Sequence, residues 1–250
     1  MGGATASAGH RAWSDEIKER IRQRYSRLIE ERDFPPGAAR RILEAGYPPA
    51  VLDRLPEELI AAYRGCGFPL AGLRLAGVRF AVDLGCGAGI DAWWLASEMG
   101  PGATVVALDM TLPMLRMLSR ARTRRSLSAG SVWPVAGDIE HVPLASGIAE
   151  LVVANASFNL TVDKTAAFHE AYRILKPGGC LAVRELVREG ELLREILEDP
   201  LADVTSLGGT VTEEGLRRAV ADAGFTDVRI TNQQPFSCVL SVQLNAVKPA

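Results

Sequence analysis

The residues best suited to binding a ligand form a glycine-rich turn in the middle of the chain. The apolar stretch Ala81-Val82-Asp83-Leu84 runs directly into Gly85-Cys86-Gly87-Ala88-Gly89. Glycine at every second position lets the backbone turn sharply and lets a ligand approach without meeting a Cβ atom. A helix predicted to follow the turn adds its positive N-terminus. Many α/β proteins carry such a turn, so its neighbours must identify the ligand.

Acidic residues stand where the next two predicted strands end. Asp109 follows about twenty residues after the turn, and Gly137-Asp138-Ile139-Glu140 follows the third strand. A carboxylate at the position of Asp109 can accept hydrogen bonds from both hydroxyls of a ribose. Asp138 and Glu140 have a simpler alternative, a solvated turn. Ligands of open α/β sheets bind at the carboxyl ends of the strands, where all three elements are expected.

The glycine pattern D-x-G-x-G-x-G differs from the nicotinamide fingerprint G-x-G-x-x-G and resembles that of the class I methyltransferases that use S-adenosylmethionine (SAM). The resemblance implies that SAM is the cofactor, with its methionine part at the glycine turn, its ribose on Asp109 and its adenine at Gly137–Glu140. The cofactor-binding residues expected on this basis are Asp83, Gly85, Cys86, Gly87, Gly89, Asp109, Met110, Asp138, Ile139, Glu140 and Asn155.

The elements that must hold these residues alternate between strands and helices from about residue 78 onward. Strands are predicted at Val78–Leu84, Ala103–Leu108, Val132–Val135, Leu151–Asn155 and Cys180–Leu186, and helices at Asp91–Met99, Leu112–Arg122, Thr165–Leu175 and Thr212–Ala223. Nearly all of the strands are apolar, which indicates a parallel sheet covered on both faces. Lys176-Pro177-Gly178-Gly179 is predicted to be a turn, and Val228–Gln233 and Cys238–Val247 to form an antiparallel hairpin at a sheet edge. The predicted fold class is α/β, a Rossmann-like class I methyltransferase sheet.

The first 75 residues have a different pattern, which predicts an N-terminal helical cap. Helical periodicity covers Trp13–Glu31. Proline pairs then separate two shorter helices, Ala38–Glu44 and Leu55–Tyr63. Residues 1–10 are small and polar and are expected to be a flexible tail. Residues 1–75 are therefore assigned to the cap with its tail, and residues 76–250 to the SAM-binding domain.

Composition excludes several classes of function. The net charge of −2 predicts no nucleic-acid partner. No apolar run reaches the roughly 18 residues of a membrane span, and the N-terminus lacks the apolar segment of a secretory signal. The four cysteines form no CxxC pair, which argues against a metal site and a disulfide framework and favours a reducing cytoplasm. The oligomeric state is left open.

From about Tyr63 to Phe225 the chain resembles, more narrowly, the arsenite methyltransferases. The stretches that carry this resemblance are Gly65–Gly67, Val82–Asp91, Ala107–Thr111, Ile139–His141, Asn159–Lys164 and Glu170–Gly179. That family binds trivalent arsenic through three cysteine thiolates, which suit a soft acceptor. Cys66 matches the first thiol position, but Ala156 stands at the second and Ser206 at the third. An alanine cannot ligate arsenic, and a hydroxyl is a poor substitute for a thiolate.

Two arginines stand where the resemblance leads us to expect other residue types. Arg64 replaces an aromatic residue two positions before Cys66, and Arg184 replaces a small polar residue at the end of the fifth strand. A guanidinium can hold a carboxylate or phosphate in a bidentate grip. We therefore expect Arg64, Cys66 and Arg184 to bind the substrate, an organic anion. The alternative is that both arginines make structural ion pairs.

The sulfonium of SAM already activates its methyl group, so the protein has mainly to hold the acceptor in line. A general base helps only an acceptor that carries a proton of high pKa. The candidate catalytic residues are Tyr25, Asn155, Asn159 and Glu185, with Tyr25 expected to cover the cofactor or, alternatively, to pack on the sheet. The preferred activity is methyl transfer to a small organic molecule. The alternatives are arsenite methylation, cyclisation of SAM with release of methylthioadenosine, and binding without turnover.

Overall fold

A computed structural model of the protein describes residues 2–125, 130–191 and 204–250, with side chains from residue 12 onward. The helices are α1 (Gly2–Glu30), α2 (Ala38–Glu44), α3 (Val51–Arg54), α4 (Glu57–Ala61), α5 (Ile90–Met99), α6 (Leu112–Arg124), α7 (Lys164–Ile174) and α8 (Glu213–Asp222). The strands are β1 (Phe80–Leu84), β2 (Thr104–Asp109), β3 (Ser131–Ala136), β4 (Ala149–Asn155), β5 (Leu175–Arg188), β6 (Val211–Thr212), β7 (Thr226–Phe236) and β8 (Val239–Val247). A short 3-10 turn covers Phe158–Leu160.

The strands form one mixed sheet in the order β3-β2-β1-β4-β5-β8-β7, and β6 pairs with β5. Strands β1 to β5 run parallel, whereas β8 is antiparallel to both β5 and β7. The chain order reverses between β1 and β4, and a crevice opens there at the carboxyl ends of the strands. The predicted Rossmann-like sheet with a C-terminal antiparallel hairpin is confirmed.

Both faces of the sheet are buried, as the apolar strands predict. Ala81 and Val82 are adjacent in β1 and both are fully buried, yet they belong to apolar clusters on opposite faces. The period of two in a strand explains this, because successive side chains point to opposite sides. Trp93 of α5 packs in the first cluster and Phe168 of α7 in the second. Helices on both faces therefore clamp the strand ends that carry the candidate site.

The cap packs on the same face as α5. Ile42, Leu55 and Leu59 of the cap lie in one apolar cluster with Trp93 and Leu95. The division of the chain at residue 75 stays a prediction, because cap and sheet share this cluster. Among the described residues no helix is both long and apolar enough to cross a membrane.

Three expectations about local structure were wrong. Helix α1 begins at Gly2, where a tail was expected, because the alanine-rich segment that follows has high helix propensity. The helix predicted from Leu55 to Tyr63 is shorter and covers only Glu57–Ala61: Leu55 is extended, at φ −92° and ψ 146°, because Pro56 disfavours helical backbone before it. The predicted turn at Lys176–Gly179 belongs to β5, where Gly178 and Gly179 exchange backbone hydrogen bonds with Lys248.

Candidate active site

A single cleft runs along the carboxyl ends of β1 to β4 and is roofed by α1. It encloses about 970 Å3 of space, including the part open to solvent. Of the expected site residues, the following line it: Tyr25, Arg64, Gly85, Cys86, Gly87, Asp109, Met110, Asp138, Ile139, Glu140 and Asn155. The tertiary structure thus gathers eleven predicted residues into one cavity.

The glycine turn forms the floor of the cleft. Gly85 and Cys86 both donate their amides to the carbonyl oxygen of Leu108 at 2.8 and 2.9 Å, which ties the turn to β2. Gly85 has φ +73°, and a Cβ there would lie 2.4 Å from the Cβ of Ser157. Both the positive φ and the close approach require glycine. Burial raises the pKa of the Cys86 thiol, so this side chain faces the cleft as a neutral group.

Asp109 joins the glycine turn to the end of β2. Its Oδ2 accepts a hydrogen bond from the Gly87 amide at 2.8 Å, and its Oδ1 accepts one from the Thr111 amide at 2.7 Å. Burial raises the pKa of this carboxyl, while the two amides oppose that shift. Each oxygen keeps a lone pair for a further donor, so a diol in the cleft can still bind here.

Asp138 and Glu140 are joined by a cation that the sequence reasoning missed. Lys18 Nζ on α1 lies 2.6 Å from Asp138 Oδ2 and 2.6 Å from Glu140 Oε2. Glu140 also accepts the Val162 amide at 2.8 Å, and Asp138 accepts the Glu140 amide at 2.9 Å. These contacts hold α1 down on the loop that carries Ile139. The alternative of a solvated turn does not hold for Glu140, whose side chain is 5% exposed.

Helical spacing in the sequence is enough to identify the side of α1 that faces the cleft. Lys18, Ile21 and Tyr25 stand at positions i, i+3 and i+7 and all three line the cavity. Burial raises the pKa of Tyr25, and a hydrogen bond with the Ser206 side chain opposes that shift. Tyr25 therefore lies at the cleft, as its expected role of covering the cofactor requires.

Two expected cofactor ligands lie outside the cleft. Asp83 is 1% exposed and lies beneath the glycine turn, where its Oδ2 has no hydrogen-bond partner among the described residues. Its strand position points it towards the face covered by α5. Gly89 caps α5 at φ +87°, and a Cβ there would lie 2.6 Å from Leu118 Cδ2, so its role is packing.

Asp91, in the first turn of α5, lines the cleft where Asp83 was expected. Tyr47 of the cap donates its hydroxyl to Asp91 Oδ1 at 2.7 Å, and Asn155 Nδ2 donates to Asp91 Oδ2 at 2.9 Å. Burial raises the pKa of Asp91 to about 6, against the effect of both hydrogen bonds. A positively charged ligand in the cleft would favour its ionised form. Its place two residues after the last glycine is a signal that sequence reasoning could have used.

Asn155 holds the cap loop Gly65-Cys66-Gly67 against the sheet. Its Oδ1 accepts the Cys66 amide at 2.9 Å, and its Nδ2 donates to the Gly67 carbonyl oxygen at 2.8 Å. A Cβ on Gly65 would lie 2.4 Å from Asn155 Nδ2. The amide group of Asn155 is thus already occupied by protein partners. Its geometry fits a positioning residue better than a catalytic one.

Asn159 lies in the 3-10 turn and Glu185 in the adjoining part of β5, and neither lines the cleft. Glu185 is completely buried and accepts amides from Asn159 at 3.2 Å and Leu186 at 3.0 Å. Burial raises its pKa to about 7. Asn159 Nδ2 donates to the Leu186 carbonyl oxygen at 2.7 Å. Both were expected to act on the acceptor, and the structure gives them a role in fixing the chain after β4 instead.

The three thiol positions of the arsenite methyltransferases come together in this fold. Cys66 and Ala156 pack in one apolar cluster with Leu186 and Val239, and Ser206 Oγ donates to the Ala156 carbonyl oxygen at 3.1 Å. Burial raises the pKa of the Cys66 thiol, and the negative charge of Glu185 raises it further. The three positions therefore hold a neutral thiol at Cys66, a methyl group at Ala156 and, at Ser206, a hydroxyl that is hydrogen-bonded to the backbone.

The two expected substrate arginines differ in position. Arg184 is 3% exposed and lies outside the cleft; its Nε donates to Ser241 Oγ at 2.8 Å and its Nη2 to Gln234 Oε1 at 3.0 Å. Ser241 in turn donates to the Cys66 carbonyl oxygen at 2.7 Å. Arg184 therefore secures the cap loop to the hairpin through neutral partners. Arg64 lines the cleft, as expected of a substrate ligand.

Comparison with known proteins identifies the fold and the cofactor. A methyltransferase domain family matches residues 82–183, the segment that carries the glycine turn, Asp109 and Glu140. This match confirms the resemblance to the class I SAM-dependent methyltransferases and, with it, SAM as the cofactor.

Its similarity to arsenite methyltransferases is also confirmed. It is 34% identical to that of Halobacterium salinarum over 167 residues, 66% of this chain and 42% of the relative. It is 31% identical to that of Aquipseudomonas alcaligenes over 192 residues, 75% of this chain and 55% of the relative. The chain thus spans about half the length of these two relatives.

A solved structure extends the likeness to the cap. The arsenic(III) SAM methyltransferase from Chlamydomonas reinhardtii superposes with a TM-score of 0.70 at 25% identity. The match covers 86% of this methyltransferase and 74% of that chain. Because 86% exceeds the share of the chain after residue 75, the shared architecture includes part of the helical cap.

Proposed function

We propose that the protein transfers the methyl group of SAM to a small organic acceptor. The observation that carries this proposal is the set of side chains at the three thiol positions. Cys66 is the one thiol among Cys66, Ala156 and Ser206, and burial keeps it protonated. Soft trivalent arsenic needs several thiolates, whereas an organic nucleophile needs none.

The carboxylates and apolar side chains that line the cleft fit the parts of SAM. Asp109 can take the ribose diol, and Met110 and Ile139 offer apolar contacts to a flat adenine ring. Asp91 offers a carboxylate close to the glycine turn, where the methionine part with its ammonium and sulfonium would lie. When bound, SAM supplies a methyl group that is already activated for displacement.

The chain's own residues then have to position the acceptor and exclude water. Tyr25 and Lys18 on α1 roof the cleft, and α1 is held over the strand ends by Ile17 and Ile21, which pack on the same apolar cluster as Met110. Excluding water and aligning the two reactants accounts for most of the rate gain in such a displacement. Glu185 lies outside the cleft, so acceptors that need no strong base suit this site.

The test is product analysis of purified protein given SAM alone, SAM with small organic acceptors, and SAM with arsenite and a thiol reductant. The acceptor set covers amines, thiols, phenols, carboxylates and phosphate esters. We expect S-adenosylhomocysteine to form with an organic acceptor and not with arsenite. Methylthioadenosine from SAM alone would replace the proposal with cyclisation of the cofactor.

The variant Cys66→Ser separates the organic acceptor from arsenite. Methylation of an organic acceptor should change by about threefold or less, because serine is close to cysteine in size and the thiol is given no chemical role. Methylated arsenic that disappears in Cys66→Ser would contradict the proposal. Ala156→Cys is the reciprocal variant, and arsenite methylation gained by it would indicate that thiol number decides the acceptor.

A further inference from the structure

A second cavity lies between the cap and the end of the β7–β8 hairpin; we call it the cap chamber. It encloses about 980 Å3, open solvent included, and is lined by Arg41, Arg64, Tyr63, Cys66, Gln234 and Ser241 among others. Tyr63, Arg64 and Gly65 line both this chamber and the cofactor cleft. These three consecutive residues therefore form the partition between the two cavities.

Arg41 brings an unsatisfied cation to the chamber. Its Nη1 donates to the carbonyl oxygens of Pro35 at 3.1 Å and Pro36 at 2.5 Å, which fixes the guanidinium in place. Its Nη2 is buried and has no hydrogen-bond partner among the described residues. A buried donor without an acceptor is costly, and native proteins rarely keep one without a reason such as an unfilled ligand position.

Arg64 adds a second guanidinium, whose hydrogen bonds go to backbone carbonyl oxygens. Its Nη1 and Nη2 donate to the carbonyl oxygens of Tyr63 at 2.9 Å and Asp33 at 2.7 Å. Burial lowers the pKa of Arg64 and the positive charge of Arg41 lowers it further, whereas the negative charge of Asp33 raises it. Two like charges held together at a cavity wall are stabilised by an anion between them.

The acidic residue at the chamber does not neutralise this pair. Glu44 lines the chamber, but its Oε1 lies 2.7 Å from Arg40 Nε, on the outer side of α2. Within residues 2–125, 130–191 and 204–250, neither Arg41 nor Arg64 makes an ion pair with a carboxylate. The chamber thus presents two arginines that no carboxylate pairs with directly, although the negative charge of Asp33 acts on Arg64 from farther away.

We propose that the cap chamber binds an oxyanion of the methyl acceptor, a carboxylate or a phosphate, between Arg41 and Arg64. This inference rests on the proposed methyl transfer and names the class of its substrate. The acceptor is a small metabolite with an anionic group at one end and its nucleophile at the other. With the anion in the chamber, the nucleophilic end extends past the partition of Tyr63, Arg64 and Gly65, which lines both cavities, to the cofactor cleft.

The proposal makes Arg41 and Arg64 the anion ligands and revises the expectation for Arg184. The hydrogen-bond partners of Arg184, Ser241 and Gln234, line the chamber and Arg184 itself does not, so it supports the chamber wall. Arginine suits this task because its planar fork matches the two oxygens of a carboxylate or phosphate. Arg64 can offer nitrogens to the anion while it keeps its carbonyl partners.

The test is a binding experiment that needs no turnover. The whole protein is saturated with S-adenosylhomocysteine and titrated by calorimetry with inorganic phosphate, acetate and succinate, at constant ionic strength in chloride. We expect at least one of these anions to bind to the wild type. Arg41→Gln and Arg64→Gln should each weaken that binding about tenfold or more, since each removes a charge-assisted contact. Arg27→Gln, an exposed arginine on α1, is the matched control and should bind as the wild type does.

Two further measurements keep a folding defect from imitating the result. Affinity for S-adenosylhomocysteine should stay within about twofold in Arg41→Gln and Arg27→Gln, because neither arginine lines the cofactor cleft. Arg64→Lys keeps the positive charge but loses the planar guanidinium that can bind two oxygens at once, so it should bind the anion with intermediate affinity. Equal anion affinity in the wild type, Arg41→Gln and Arg64→Gln, or no anion binding at all, would overturn the inference.

The inference and the proposed function fail in different ways. Turnover of SAM with uncharged acceptors, but with no preference for carboxylates or phosphates, leaves methyl transfer standing and removes the oxyanion site. Absence of S-adenosylhomocysteine with every acceptor, together with arginine-dependent anion binding, removes methyl transfer and leaves the site. Preference between the carboxylate and phosphate probes decides which oxyanion the acceptor carries.

Discussion

The cofactor cleft and the cap chamber are built in different ways. The cleft is formed by turns that directly follow β1, β2 and β3, and its contacts are largely backbone amides and carboxylates at strand ends. The chamber is formed by α2, the loop at Cys66 and the distant β7–β8 hairpin. A ligand site on one sheet edge is reproduced whenever the sheet forms, whereas a site between remote segments depends on which side chains those segments carry.

This difference explains how the protein resembles arsenite methyltransferases yet has different groups around the acceptor. Asn155 still ties the cap loop to the sheet, so the positions of Cys66, Ala156 and Ser206 still converge. Only their chemistry differs from that of the family. The same framework can therefore present another acceptor to the same cofactor.

The largest effect is expected at the cofactor cleft, from Asp109→Ala. This change removes the acceptor of the Gly87 and Thr111 amides and the proposed ribose ligand, so the dissociation constant for SAM should rise about 100-fold or more. Asp222→Ala, an exposed carboxylate on α8, should leave it unchanged. Calorimetric titration with SAM measures both. Tight binding by Asp109→Ala would remove the ribose role from this residue.

The next effect concerns the joint between the two regions, tested by Gly65→Ala. A Cβ here would lie 2.4 Å from Asn155 Nδ2, so the cap loop has to move away from the sheet, at a cost of about 2 kcal/mol in the free energy of unfolding. Chemical denaturation measures this cost. Gly215→Ala in α8 is the control, since its Cβ would come no closer than 3.2 Å, to Thr212 Oγ1. Equal losses in both variants would show that the loop is not tightly docked.

A smaller effect is expected from Lys18→Met on the roof of the cleft. The change leaves Asp138 and Glu140 without their shared cation and loosens α1, so SAM should bind about tenfold more weakly, by ~1–2 kcal/mol, after allowance for partial exposure. Arg218→Met breaks an exposed ion pair with Glu214 on α8 and serves as the control. Unchanged SAM binding and unchanged salt dependence in Lys18→Met would mean that α1 is held by its apolar contacts alone.

The smallest effect is the pH dependence that Asp91 gives to SAM binding. Its pKa is about 6 in the free protein. A cationic ligand favours the carboxylate, so affinity should be highest above that value and fall by about fourfold from pH 7 to pH 5.5. Calorimetry at the two pH values measures this change. Asp91→Asn should bind more weakly and lose the dependence; a dependence that persists in this variant assigns the titration to another group.

Several elements followed from local pattern alone. The strand that ends at Leu84, the helix that ends at Met99 and the helix near Thr212 were all predicted, and the Thr212 side chain caps that helix by accepting the Gly215 amide. Each depends on neighbours within a few residues, through alternation, helical period or capping. The errors came where another part of the chain intervened, as at Gly178, where pairing with Lys248 draws the predicted turn into β5.

The sequence by itself determined the sheet, the glycine turn, Asp109 and hence the cofactor, because these features repeat at short spacing and the fold class places strand ends on one edge. Tertiary structure decided which polar residues face the cavity. It buried Asp83, Asn159 and Glu185, brought Lys18 to Asp138 over 120 residues, and placed Arg41 and Arg64 in the lining of one cavity. The physical reason is that side-chain direction and long-range pairing depend on packing between segments, which no local spacing encodes.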